Sequence, residues 1–168
     1  MVIKHSGQRV AVLIDVQNLY HSAKNLYGTR VNFGAILKSA VSNRNLIRAF
    51  AYVVRTKSGE EKPFFEALSK LGIETRVRDL QEFFGGMKKA DWDVGITVDA
   101  IRIAQSCDTI VLGSGDGDFI QLVEYLKNQG KRVEIIAFGR SSSSRLREVA
   151  DEFIDLEEKP EKYLLKTK

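Results

Sequence analysis

The sequence predicts a three-layer α/β/α domain built on a mostly parallel sheet. Short, β-branched and nearly unbroken apolar runs lie at residues 9–15 (RVAVLID), 46–54 (LIRAFAYVV), 108–113 (DTIVLG) and 132–138 (RVEIIAF). Runs of that kind suit strands covered on both faces, as in a parallel sheet. Helical patterns separate them, at residues 18–27, 32–42, 60–71, 93–105, 116–129 and 143–153. Strands alternating with helices imply right-handed crossovers over both faces of one sheet.

Each element has its own local reason. In residues 60–71, Phe64, Leu68 and Leu71 fall at i, i+4 and i+7, and Gly72 supplies the stop. In residues 116–129, Ile120, Val123 and Leu126 recur at three-residue spacing before Gly130. Residues 73–80 (IETRVRDL) alternate apolar and polar, which marks an edge strand. Arg76 and Arg78 there read as charges that block edge pairing. Residues 9–156 form the expected domain, and the charged segment 157–168 (EEKPEKYLLKTK) is expected to fray as a tail.

Composition excludes several classes. The chain has 168 residues, 43% hydrophobic and 29% charged, which suits one globular domain. Cys107 is its only cysteine, so neither an intrachain disulfide nor a Cys-rich zinc site can form, and Cys107 reads as a buried or capping residue. No apolar run approaches the ~18 residues of a membrane span. The opening MVIKHSGQRV has no secretory pattern, so the cytoplasm is the expected compartment. A net charge of +4 permits a polyanionic partner without requiring one.

Ligands of such sheets bind beyond the carboxyl ends of the strands, where strand order reverses. Acidic residues gather in that region. Asp15 follows the first strand directly, and Asp116 and Asp118 follow TIVLG through the turn Ser114-Gly115. Asp93 opens the fourth helical segment, and Asp99 lies further along it between Ile96 and Ile103. Singly, Asp116 and Asp93 read equally as helix caps, Asp15 as an Asx-turn and Asp99 as a surface residue. Jointly they repel one another and require a cation, or a raised pKa on one member. Oxygen-only clusters suit Mg²⁺ or Mn²⁺. Asn18, three residues past Asp15, and Ser114 are candidates to position water or phosphate, or to cap and turn the chain. A carboxylate-held divalent ion neutralises a phosphodiester and lowers the pKa of a bound water. The sequence has no Walker-type phosphate loop, and no Ser or Cys has a histidine placed as its base.

Three segments carry a family resemblance. VAVLIDVQNLYHSA resembles the DxxN opening of NYN domains, KKADWDVGITVDAIRIA resembles their KxxDVxLxVDxL helix, and DTIVLGSGDGDFIQLVEYLKNQGKRVEIIAFG resembles their SGDxDF segment. They occur in order over residues 9–155, and the LabA-like branch is the most similar group. The resemblance implies a Rossmann-like PIN fold with a five-stranded parallel core in the order 3-2-1-4-5. It also implies a metal-dependent nuclease acting on RNA. Asp15, Asp93, Asp99, Asp116 and Asp118 match its acidic positions, with Asp15, Asp99, Asp116 and Asp118 as the metal ligands. Asn18 and Ser114 match its polar ones. Gln121-Leu122 replaces a frequent Pro-Leu pair, and Trp92 is inserted before Asp93.

An RNA substrate calls for positive groups around the acids. Lys88 and Lys89 lie in the segment 81–92 (QEFFGGMKKADW) with Phe83, Phe84, Gly85, Gly86 and Trp92, which suits either base stacking or an edge hairpin. Arg140 and Arg145 flank Ser141–Ser144 after the fifth strand, as phosphate ligands or as linker. Arg55 and Lys57 are more peripheral. The function expected is a divalent-metal phosphodiesterase, an endoribonuclease. The alternative is a non-catalytic RNA-binding or regulatory module. A phosphatase reading is weaker, because DVQN lacks the DxD spacing of aspartyl-phosphate enzymes. Edge strands and exposed aromatics allow a homodimer.

Overall fold

In chain order the elements are β1 (Arg9–Asp15), α1 (Val16–Tyr27), α2 (Phe33–Val41), β2 (Asn45–Arg55), α3 (Lys62–Lys70), β3 (Glu74–Asp79), β4 (Gln81–Glu82) and β5 (Lys88–Lys89). There follow α4 (Asp93–Ala104), β6 (Thr109–Gly113), α5 (Ile120–Asn128), β7 (Arg132–Ala137), α6 (Ser144–Val149), β8 (Glu152–Asp155) and α7 (Pro160–Tyr163). This computed structural model describes residues 4–82, 88–89 and 91–166, with backbone alone for 81–82 and 88–89.

β1 is the centre of the molecule because its residues are apolar on both faces. Val10 to Ile14 are fully buried. The main sheet runs β3-β2-β1-β6-β7-β8, every pair parallel. β4 and β5 form a separate antiparallel pair. α1, α2 and α3 pack with β1, β2 and β3, while α4 and α5 pack with β1, β6 and β7. β3 is an edge strand, as its alternation predicts.

The expected core order 3-2-1-4-5 is present as β3-β2-β1-β6-β7, and β8 extends it by a sixth strand. Residues 143–153 read as one helix, yet α6 stops at Val149 and the chain turns into β8. Asp151 causes the turn: its N–H donates to Val133 O at 2.9 Å, and its carboxylate accepts from Val133 N at 2.8 Å. A short apolar run such as FID has no period long enough to separate helix from strand. The segment after Leu156 also does not fray. Tyr163 is buried, its hydroxyl bonds Ser39 Oγ at 2.8 Å, and Leu165 N donates to Arg30 O at 2.8 Å.

A buried ion network holds the end of the sheet remote from the carboxyl edge. Glu134, 0% exposed, accepts from Arg44 Nη1 at 2.8 Å, Arg44 Nη2 at 2.9 Å and Arg132 Nε at 2.8 Å. Burial alone would raise the Glu134 pKa, but the two guanidiniums outweigh it and hold the carboxyl below the ordinary range.

Candidate metal centre

Strand order reverses between β1 and β6, so their carboxyl ends diverge toward opposite layers and leave a cleft. Ile14 is in register with Gly113, which places Asp15 and Ser114 side by side at its floor. Ser114 is fully buried, and Asp15 is 9% exposed. Ser114 Oγ donates to Asp15 Oδ2 at 3.0 Å and accepts from Asp116 N at 3.2 Å. Asp15 Oδ1 accepts from Asn18 N at 3.4 Å, capping α1. Burial pushes the Asp15 carboxyl up; the bonds from Ser114 and Asn18 N–H counter this in part, and Asp116 adds to the rise.

The Ser-Gly-Asp-Gly-Asp turn is clamped from both sides. Asn18 Oδ1 accepts from Gly115 N at 2.9 Å, and Gly115 O accepts from Ser143 N at 2.9 Å. A Cβ on Gly115 would overlap Ser142, so only glycine fits there. The clamp fixes Asp116, whose Oδ1 accepts from Asp118 N at 2.9 Å. From the other side, α4 delivers Asp93 in its first turn. Trp92 anchors that start, with its ring Nε1 donating to Val53 O at 3.0 Å.

Asp93, Asp116 and Asp118 thereby each bring one carboxylate oxygen within 4.8 Å of the others. Oxygens sharing one hard cation at about 2.0–2.6 Å lie no more than about 4–5 Å apart, so the trio fits a divalent ion. Burial, then the charges of Asp116, Asp91, Asp15 and Asp118, pushes the Asp93 carboxyl up to about 6. Such crowding of like charge is what a cation relieves.

The expected site residues divide into those gathered here and those placed elsewhere. Asp15, Asn18 and Ser114 form the supporting floor. Asp99 is not in the trio. It accepts from Tyr52 Oη at 2.8 Å and pairs with Arg76 Nε at 3.3 Å. Trp92 packs on Tyr52 with centroids 5.4 Å apart and carries the Arg78 guanidinium 4.4 Å from its ring, so it anchors α4 and has little free face for a base. Arg140 is tied to Glu157 at 2.7 Å, while Arg145 is exposed and has no acidic partner among the described residues. Arg76 and Arg78, read as edge guards, in fact turn toward Asp99 and Trp92. Lys88 and Lys89 lie in β5, and their side chains fall outside the described residues, as do Phe83, Phe84, Gly85 and Gly86. Asp91 was missed. It raises the pKa of both Asp15 and Asp93, and the Asp-Trp-Asp spacing was the available signal.

A PIN-like α/β domain with an acidic group at its switch point is the class these observations define. The NYN domain family model matches residues 9–157, and the chain belongs to that family. It is 28% identical over 157 residues to the low amplitude and bright protein LabA of Synechococcus elongatus, covering 88% of this chain and 83% of that protein. A crystal structure of a protein of unknown function from Vibrio parahaemolyticus superposes with a TM-score of 0.87 at 31% identity, covering 98% of this chain and 100% of the other. Among the described residues no helix is long and apolar enough to cross a membrane.

Proposed function

We propose that this NYN domain is a divalent-metal-dependent endoribonuclease. Family membership supports nuclease-type chemistry. The observation that carries the metal is the convergence of Asp93, Asp116 and Asp118 within 4.8 Å, at a switch point and with Asp93 driven toward neutrality. In this reading those three carboxylates hold Mg²⁺ or Mn²⁺. A bound dication of that kind would lower the pKa of a water and offset charge on a phosphodiester.

The remaining work falls to the protein's own groups. Asp15, held by Ser114, orients the attacking water from the floor of the cleft. Asn18 spends its Oδ1 on Gly115 N–H, which leaves its NH₂ to donate to a phosphate oxygen. Asp99 stands outside the ligand set in this reading, because Arg76 already balances its charge.

The test is Asp116→Asn, assayed for Mn²⁺-dependent cleavage of single-stranded RNA. Activity should fall at least a hundredfold with the circular dichroism spectrum unchanged. Wild-type protein that binds RNA but cleaves none with either ion would identify a binding module instead.

A further inference from the structure

A second feature lies one residue beyond Asp15, on the other side of α1. An aromatic hollow of about 620 Å³ opens between α1, α3 and the end of β2, lined by Tyr20, Phe33, Phe64 and Phe65 and also by Glu60 and Glu61. A basic hollow of about 520 Å³ adjoins it at the far end of α1, bounded by Lys24, Arg30 and Lys166. Tyr20, Arg30 and Leu165 line both, so the two form one groove. Its length follows α1, whose 12 residues span about 18 Å.

The chemistry of the two halves differs in an informative way. Phe33 and Phe64 are already paired at 5.6 Å, and Tyr20 is 39% exposed, so a flat ring can stack there without unfolding anything. Among the described residues Lys24, Arg30 and Lys166 have no acidic partner, whereas Arg9, Arg44, Arg48, Arg55, Arg132 and Arg140 all do. Three unneutralised cations beside stacked aromatics match alternating phosphates and bases. The docked segment after Leu156 completes this wall, because Leu165 is held by Arg30 O.

We infer that the groove along α1 is an anchoring subsite for single-stranded RNA, with bases among Tyr20 and Phe64 and phosphates at Lys24 and Arg30. The inference rests on the nucleic-acid substrate proposed above. It extends that site by a strand-holding surface that leads away from the acidic cleft.

The test measures fluorescence anisotropy of a labelled single-stranded RNA decamer in EDTA, where metal-dependent cleavage is off. Lys24→Ala/Arg30→Ala should raise Kd about tenfold and reduce the slope of log Kd against log salt by about 1.4, two phosphate contacts' worth. Tyr20→Ala should raise Kd severalfold with the slope unchanged. Unchanged Kd in either variant overturns the groove. Metal-dependent cleavage by wild type alongside unchanged binding in the variants removes the groove and leaves the nuclease reading intact. Binding lost in the variants, with no cleavage by wild type under any ion, supports the groove and removes the nuclease reading.

Discussion

Tyr52 Oη donates a 2.8 Å hydrogen bond to Asp99 Oδ2, and that bond separates Asp99 from the acids of the cleft. Tyr52 is in register with Asp15 on one side and with Arg76 on the other. The three strand ends thus present a carboxylate, a phenol and a guanidinium in a row, and α4 lays Asp99 over the last two. Burial first, then Asp99, drives the Tyr52 hydroxyl well above its ordinary pKa, so it stays a donor at every working pH. Asp99 has its counter-charge in Arg76; among the described residues Asp93 has none.

Asp99→Asn should therefore leave metal-dependent cleavage within about threefold of wild type. Tyr52→Phe should lower stability by about 1 kcal/mol, the cost of one hydrogen bond to a half-buried carboxylate that keeps Arg76. Urea denaturation and an RNA cleavage assay check the pair. A hundredfold loss of cleavage in a folded Asp99→Asn protein would return Asp99 to the metal ligands.

The Asp93 carboxyl, at about 6, sets a pH dependence with a definite sign. A carboxyl raised in the folded state contributes stability below its unfolded pKa and loses it as pH rises through the folded value. Metal-free Asp93→Asn should thus melt higher than wild type at pH 8, with the gain gone by about pH 4. Mn²⁺ affinity should weaken as pH falls below about 6, with proton release on binding visible by calorimetry in two buffers.

Ser114 serves two partners at once, so Ser114→Ala should leave both Asp15 Oδ2 and Asp116 N short of a bond. The expected loss is about 2–3 kcal/mol of stability, together with weaker Mn²⁺ binding as the turn loosens. Thermal melts with and without Mn²⁺ separate the two effects.

At the opposite end of the sheet, Glu134→Gln should cost about 3–5 kcal/mol, because it strands Arg44 in the interior without a counter-charge. Glu134 titrates below the ordinary range, so its contribution is present above that range and is lost as pH falls through the depressed value. Acid unfolding of wild type, compared with the variant by circular dichroism, should show the difference shrinking toward low pH.

Much of this was legible in the residues. The β-branched runs marked the strands because a strand buried on both faces must be apolar throughout, and β1 is. Asp15, Ser114, Asp116 and Asp118 were legible because each sits at the end of a central strand or within the turn that follows it. β8 was not, since its pairing depends on Asp151 meeting Val133, a contact between residues far apart in sequence. The docked segment after Leu156 was hidden by its many charges, although Tyr163 turns inward and Glu157 binds Tyr27 and Arg140.

The amino-acid order by itself determined the elements, the family motifs and the supply of carboxylates at one sheet edge. Which carboxylates share a cavity was decided only by tertiary structure. Charge is a property of a residue, but its compensation is a property of neighbours: Arg76, from an edge strand 23 positions away, pairs with Asp99, while among the described residues the groups that shift Asp93 are all acidic.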